Sequence, residues 1–133
     1  MDKDRWKHSK TTTYNIGYHF IWCPKYRRKV LVGAVADRLK ELLFKKAGEL
    51  QLEIATLEIM PDHIHLFVKS SPTVSPHFIV QQLKGYTSRM IREEFPHMKS
   101  RLPSLWTRSY YCESVGHISV ATVRKYIEEQ KNK

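Results

Sequence analysis

Two histidines one residue apart, His63 and His65, lie in the segment PDHIHLFV at residues 61–68. In an extended chain alternate side chains share a face, so His63, His65 and Phe67 point one way and Ile64, Leu66 and Val68 the other. If the apolar trio packs into a core, both imidazoles leave from the opposite face, side by side. Neutral imidazole is a common metal ligand, and two adjacent rings can chelate one ion. The same pair also reads as two ordinary surface histidines, so its chemistry turns on what else the chain brings to it. Near the C-terminus Tyr126 and Gln130 stand four residues apart, neighbours on one helix face. A glutamine carbonyl oxygen is an acceptable ligand for a hard cation. Two histidines and a glutamine form a neutral ligand set that leaves the ion's charge uncancelled, able to polarise a phosphate oxygen, with a tyrosine one turn away as nucleophile. The other reading of that pair is a packed tyrosine beside a solvated glutamine, and spacing alone does not separate the two.

Around these residues the chain alternates between strand and helix patterns. Tyr14, Ile16, Tyr18, Phe20 and Trp22 alternate with Asn15, Gly17 and His19, which predicts a strand with one buried face ending before Pro24. Val35, Leu39, Leu42, Leu43 and Leu50 recur at helical spacing and predict an amphipathic helix over roughly 34–50. Residues 52–60 and 63–70 flank the turn-forming pair Pro61-Asp62 and read as an antiparallel hairpin. Ser75-Pro76 open a second helix, whose apolar stripe is Ile79, Leu83, Tyr86 and Met90, and Pro96 ends it. Residues 96–103 read as a loop and 104–114 as a fourth strand, followed by a break at Gly116 and a last helix over 119–131 capped by Ser119. The order β-α-β-β-α-β plus a terminal helix predicts an α+β, ferredoxin-like (RRM-like) antiparallel sheet with helices on one face and the other face open. With residues 1–12 as a loose basic leader and no repeat or linker, the 133 residues form one expected domain.

Hydrophobic content of 41% and charged content of 27% fit a globular chain and exclude pervasive disorder. The 23 Lys and Arg outnumber 13 Asp and Glu, a net charge of +10 that favours a polyanionic partner. Nucleic acid fits better than a membrane surface, because the basic residues lie among aromatics. Lys25, Arg27, Arg28 and Lys29 around Tyr26 suit a phosphate backbone with a stacking partner. Lys84, Arg89 and Arg92 on the second helix, with Arg101 and Arg108, extend the candidate track; each taken singly is equally a solvated surface charge. The longest apolar run, VLVGAVA, is too short to span a bilayer, and the N-terminus has no apolar leader. Cys23 and Cys112 form no CxxC pair and are expected as two buried thiols in a cytoplasmic protein.

Taken in order along the chain, WCPKYRRKVL, HIH within PDHIHLFV and the terminal YIEEQ resemble the single-tyrosine HUH transposases. These are the TnpA type of small insertion sequences that move as single-stranded DNA, with the REP-associated tyrosine transposases as close relatives. The resemblance covers essentially the whole chain. It implies that Tyr126 attacks a scissile phosphate to give a 5′-phosphotyrosine and a free 3′-OH, and that His63, His65 and Gln130 hold a divalent ion, Mg²⁺ or Mn²⁺. It further implies hairpin-bearing DNA ends as substrate and a prokaryotic homodimer whose active sites are shared between subunits. Residues 113–119 around Gly116 read either as the hinge of that exchange or as a plain turn between strand and helix. One departure is that only Lys131, Asn132 and Lys133 follow Gln130, which predicts a less firmly anchored final helix. Two alternatives stand beside this expectation. One is a HUH nickase of the replication-initiator or relaxase kind. The other is a non-catalytic single-stranded nucleic-acid-binding module, which on this fold stacks bases on exposed aromatics of the central strands.

Overall fold

The first strand sets the two faces of the molecule. In β1 (Ile16–Trp22) Tyr18, Phe20 and Trp22 join the hydrophobic core, while Gly17, His19 and Ile21 take the opposite face. The computed structural model describes residues 7–8, 13–14 and 16–115, the side chains being those of 16–115 except Arg101. The expected helix at 119–131 with Tyr126 and Gln130, Gly116 and most of the basic leader lie outside the described residues. Within the leader, Lys7–His8 pairs antiparallel with Thr13–Tyr14 in a two-stranded ladder.

α1 (Gly33–Glu49) buries Val35, Leu39, Leu42 and Leu43 of the expected stripe together with Ala47, while Leu50, also expected in it, is the half-buried C-cap. β2 (Glu53–Met60) and β3 (His63–Ser70) form the hairpin across Pro61-Asp62, with a bulge between Ile54 and Thr56. α2 (Pro76–Glu94) starts as the sequence requires: the Ser75 hydroxyl accepts the Phe78 N–H at 3.1 Å, and Pro76 occupies the first turn. β4 (Tyr111–Ser114) closes the sheet. The strand order is β2-β3-β1-β4, each neighbour antiparallel, which is the ferredoxin-like arrangement. Leu39, Leu42 and Leu43 of α1 and Ile79, Leu83 and Ile91 of α2 share one core with Phe20, Trp22, Ile64, Leu66 and Val68. Burying each such side chain contributes about 1.5–3 kcal/mol, so this face fixes the register of the central strands β1 and β3. An ion pair of Arg38 with Glu94, at 2.7 and 3.1 Å, ties α1 to α2 at the surface.

Three expectations are corrected. Residues 96–103 are not a plain loop, because Pro96 restarts the chain as α3 (Pro96–Arg101), which puts Met98 and then Leu102 into the core. Proline at a first helical position favours a start as readily as it enforces a stop. The fourth strand covers only 111–114 of the expected 104–114. Its first half is held elsewhere: Trp106 makes a single bridge to Pro24 and donates its indole N–H to Thr87 at 3.0 Å, and the Lys84 ammonium gathers the carbonyls of Thr107, Arg108 and Ser109. Finally, Cys23 and Cys112 are free but half-buried rather than buried, with burial raising both thiol pKa values.

Candidate active site

Pairing register, more than sequence proximity, assembles the site. β3 lies between β2 and β1, so His65 stands opposite Glu58 on one side and Ile21 on the other; His63 is opposite Met60, and Phe67 opposite His19. On the far side of β1, Ile21 faces Tyr111 and His19 faces Glu113. Cα partners in an antiparallel pair share a face. All these side chains therefore lie on the sheet face away from α1 and α2, where the alternation of PDHIHLFV places its histidines. That face is not open. His19 is fully buried, His65 is 6% exposed and Phe67 2%. The Phe67 ring occupies the space over Gly17, where a Cβ would collide with it, and Ala55 and Val115 pack against it.

Within this layer the two motif histidines are in direct contact, their ring centroids 4.9 Å apart and nearly perpendicular. Each has its Nδ1 engaged. His63 Nδ1 is 2.7 Å from Asp62 Oδ1, and His65 Nδ1 is 3.4 Å from His19 Nε2, with the His19 and His65 rings stacked. Asp62 also accepts from the Arg27 guanidinium on its other oxygen at 3.2 Å. The hydrogen bond from His63 holds the Asp62 carboxyl below its ordinary pKa, outweighing its slight desolvation, and the Arg27 charge acts in the same direction. Burial lowers the pKa of His19 against the opposing pull of Glu113. Histidines whose second nitrogen is fixed by a carboxylate or another acceptor are the usual form of metal-ligating imidazole, and two neutral nitrogens suit a divalent ion that keeps open positions. The donor chemistry thus fits the ion expected at His63 and His65. Among the described residues no group of three or more His, Cys, Asp and Glu completes a metal site. Gln130, the expected third ligand, and Tyr126, the expected nucleophile, lie outside the described residues.

The basic turn is built against this site. Lys25–Arg27 form a 3₁₀ turn in which Tyr26 (φ 60°) and Arg27 (φ 50°) both take left-handed backbone, a costly conformation for residues with a Cβ. The turn is pinned on three sides, by Lys25 N–H to Leu105 O at 2.8 Å, Thr107 N–H to Cys23 O at 3.0 Å and Leu31 N–H to Pro61 O at 3.0 Å. The last of these bonds brings the turn alongside the Pro61-Asp62 hairpin. It leaves Tyr26 66% exposed, with the Lys25 ammonium 5.6 Å from its ring, and Arg28 and Lys29 in solvent. The cations of α2 are engaged within the fold, and Lys84 braces the segment that pins the basic turn. Lys84 is half-buried with its pKa lowered by burial, and it donates to Thr107 O at 2.6 Å. Arg92 donates to Leu102 O at 3.4 Å, and Arg89 lies with Lys46 against the Tyr86 ring. The structure therefore ties Arg27 to His63 through Asp62, with Lys25, Tyr26, Arg28 and Lys29 on the same turn as Arg27. The Lys84, Arg89 and Arg92 side chains are instead engaged by the Thr107–Ser109 carbonyls, the Tyr86 ring and Leu102 O.

Sequence reasoning missed Asp62, His19, Glu58, Glu113 and Tyr111 as members of this layer. His19 carried a signal, since it lies on the polar side of the β1 alternation. Asp62 read only as a turn residue, because its partner Arg27 is 35 positions away.

Residues 12–130 match the model of a family described as IS200-like transposases. The chain is 40% identical over 129 residues to the ISDra2 transposase TnpA of Deinococcus radiodurans, a match spanning 96% of this chain and 92% of that relative. It is 31% identical over 121 residues to the transposase for insertion sequence element IS200 of Salmonella typhimurium, spanning 90% and 79% of the two chains. Among solved structures, it resembles a crystal structure of a transposase candidate from Deinococcus radiodurans R1, with a TM-score of 0.77 and 38% identity over 93% of this chain and 97% of that one. A REP-associated tyrosine transposase bound to a REP hairpin matches with a TM-score of 0.58 over 90% of this chain and 67% of that one; at 14% identity the likeness is one of fold alone.

Proposed function

The chain belongs to the IS200-like transposase family, and from that premise we propose that it cuts and rejoins single-stranded DNA at the ends of an insertion sequence through a covalent link to Tyr126. The observation that carries the reading is the pair of adjoining imidazoles, 4.9 Å apart on the sheet face away from the helices, one of them fixed by a carboxylate. In this proposal His63, His65 and Gln130 hold Mg²⁺ or Mn²⁺, which when bound supplies Lewis-acid polarisation of the scissile phosphate. Tyr126 Oη forms a bond to phosphorus as the bond to the 3′-oxygen breaks, giving a 5′-phosphotyrosine and a 3′-OH. Rejoining is the reverse displacement, in which a 3′-OH releases Tyr126. Storing the phosphodiester energy in the tyrosyl ester removes any need for a nucleotide cofactor. Tyr26, exposed among Lys25, Arg27, Arg28 and Lys29, offers a stacking surface and charges for the single strand beside the histidines.

The partner in this reading is a hairpin-bearing DNA end, in keeping with the hairpin bound by the REP-associated relative. The functional unit is a homodimer, each Tyr126 serving the histidines of the other subunit, in the cytoplasm of a prokaryote. No helix among the described residues is long and apolar enough to cross a membrane. A non-catalytic stacking module is disfavoured, because Phe67, the aromatic beside the histidines on β3, is buried over Gly17 and presents no stacking surface.

The test is direct. Purified protein with Mg²⁺ or Mn²⁺ is mixed with a single-stranded oligonucleotide carrying the element's end, and covalent protein–DNA adduct is read on a denaturing gel. Wild type forms it; Tyr126→Phe binds the oligonucleotide but forms none. An unchanged adduct from Tyr126→Phe refutes the assigned nucleophile, and no adduct from wild type on cognate ends refutes the cleavage reading.

A further inference from the structure

The contact between the basic turn and the histidine strand runs through one carboxylate. Asp62 Oδ1 lies 2.7 Å from His63 Nδ1, and Asp62 Oδ2 lies 3.2 Å from an Arg27 guanidinium nitrogen. An ionised carboxylate only accepts hydrogen bonds, so in this contact the proton lies on His63 Nδ1. A neutral imidazole with its proton on Nδ1 carries its lone pair on Nε2. We infer that Asp62 is a positioning residue of the metal centre: it fixes the Nδ1–H form of His63 and so presents Nε2 to the ion, while Arg27 of the basic turn anchors the carboxylate.

The inference rests on the proposed ligation by His63 and adds to it which atom binds and what sets that atom. The backbone supports the arrangement on both sides. Leu31 N–H donates to Pro61 O, which fixes the distance between the Arg27 turn and the Asp62 hairpin. Arg27 reaches Asp62 from left-handed backbone at φ 50°, a conformation maintained only where surrounding contacts hold it. The two carboxylate oxygens are divided between the two partners, so neither competes for the other's acceptor. A carboxylate behind a ligating histidine raises the basicity of the ligand and locks its ring orientation, and losing it commonly weakens metal binding by about 10–100-fold.

The experiment measures metal binding and protonation in the full chain without DNA. Mn²⁺ affinity is titrated by calorimetry or electron paramagnetic resonance for wild type, Asp62→Asn, Asp62→Ala, Arg27→Gln and His63→Ala. Asparagine is as good a turn former as aspartate, so Asp62→Asn retains the hairpin and removes the charge, and circular dichroism confirms folding of each variant. Asp62→Ala is expected to bind Mn²⁺ about 10–100-fold more weakly, with Asp62→Asn and Arg27→Gln intermediate. Imidazole ¹⁵N spectra of metal-free protein are expected to show His63 protonated at Nδ1 in wild type and a mixture of tautomers in Asp62→Ala. Undiminished Mn²⁺ affinity in Asp62→Ala, or a wild-type His63 protonated at Nε2, overturns the inference and leaves the proposed metal site standing. If instead wild type binds Mn²⁺ no better than His63→Ala, the metal reading of His63 itself fails and the inference falls with it.

Discussion

Lys84 separates a cation engaged in holding the fold from one available to a ligand. Its ammonium is 2.6 Å from Thr107 O and within 3.4 Å of the Arg108 and Ser109 carbonyls, gathering the segment that leads into β4. Arg28 and Lys29, also basic and close to the histidine hairpin through the same turn, are exposed. In sequence the three look alike, because the number of carbonyls around a lysine is a tertiary property. The same holds for Asp62, whose pairing with Arg27 depends on the turn and hairpin being pinned together. By contrast, the direction of His63 and His65 was legible, since strand alternation ties it to the burial of Ile64, Leu66 and Val68. Replacing Lys84 by Met removes charge-assisted hydrogen bonds in a half-buried site and is expected to cost about 1–3 kcal/mol in urea unfolding. Arg28→Ala and Lys29→Ala are expected to alter stability by less than about 0.5 kcal/mol. Each of those two is instead expected to weaken single-stranded DNA binding and to reduce the slope of log affinity against log salt by about 0.7. If Lys84→Met lowers the salt slope and leaves stability intact, its role is the reverse of the one argued.

Elements were legible where a local pattern determines them and illegible where packing does. α2 follows its apolar stripe and its Ser75-Pro76 start. α3 and the short β4 depend on Met98, Leu102, Leu105 and Trp106 finding places in the core, which no local periodicity announces. Even in the well-predicted α1 the C-terminus departs from rule. Leu52 N–H bonds to Ala47 O at 2.8 Å and Gln51 N–H to Gly48 O at 3.1 Å, the paired bonds of a Schellman motif. The left-handed position of that motif usually belongs to glycine, yet here Gln51 occupies it with φ 58° and its residue exposed. A left-handed conformation costs a residue with a Cβ roughly 1–2 kcal/mol, partly offset by the greater freedom glycine has when unfolded. Gln51→Gly is therefore expected to stabilise the protein by about 0.5–1 kcal/mol in chemical denaturation. Gln51→Ala serves as the control, because alanine retains the Cβ. A gain shared equally by both variants would place the cause in the lost side chain rather than in the backbone.

At the scale of the molecule the ferredoxin-like sheet gives its two faces different work. One is sealed by α1 and α2 into the core, and the other carries His63, His65, His19, Glu58, Glu113 and Tyr111 in register across four strands. The proposed chemistry needs two more groups, Tyr126 and Gln130, from the far end of the chain, and in the proposed homodimer these come from the partner subunit. Closed two-fold assemblies make such an exchange reciprocal, since whatever one subunit lends it also receives. The decisive preparation is a heterodimer co-expressed with two different tags and purified through both, so that each molecule pairs a Tyr126→Phe subunit with a His63→Ala/His65→Ala subunit. Either variant alone lacks one half of every site and is expected to form no adduct with single-stranded ends. In the heterodimer, a shared site joins the intact histidines of the first subunit to the intact Tyr126 of the second, restoring one site of two and about half the wild-type adduct. The DNA must then be attached to the His63→Ala/His65→Ala chain, which its tag identifies on a denaturing gel. A doubly purified heterodimer that forms no adduct would place tyrosine and histidines of each working site within a single chain.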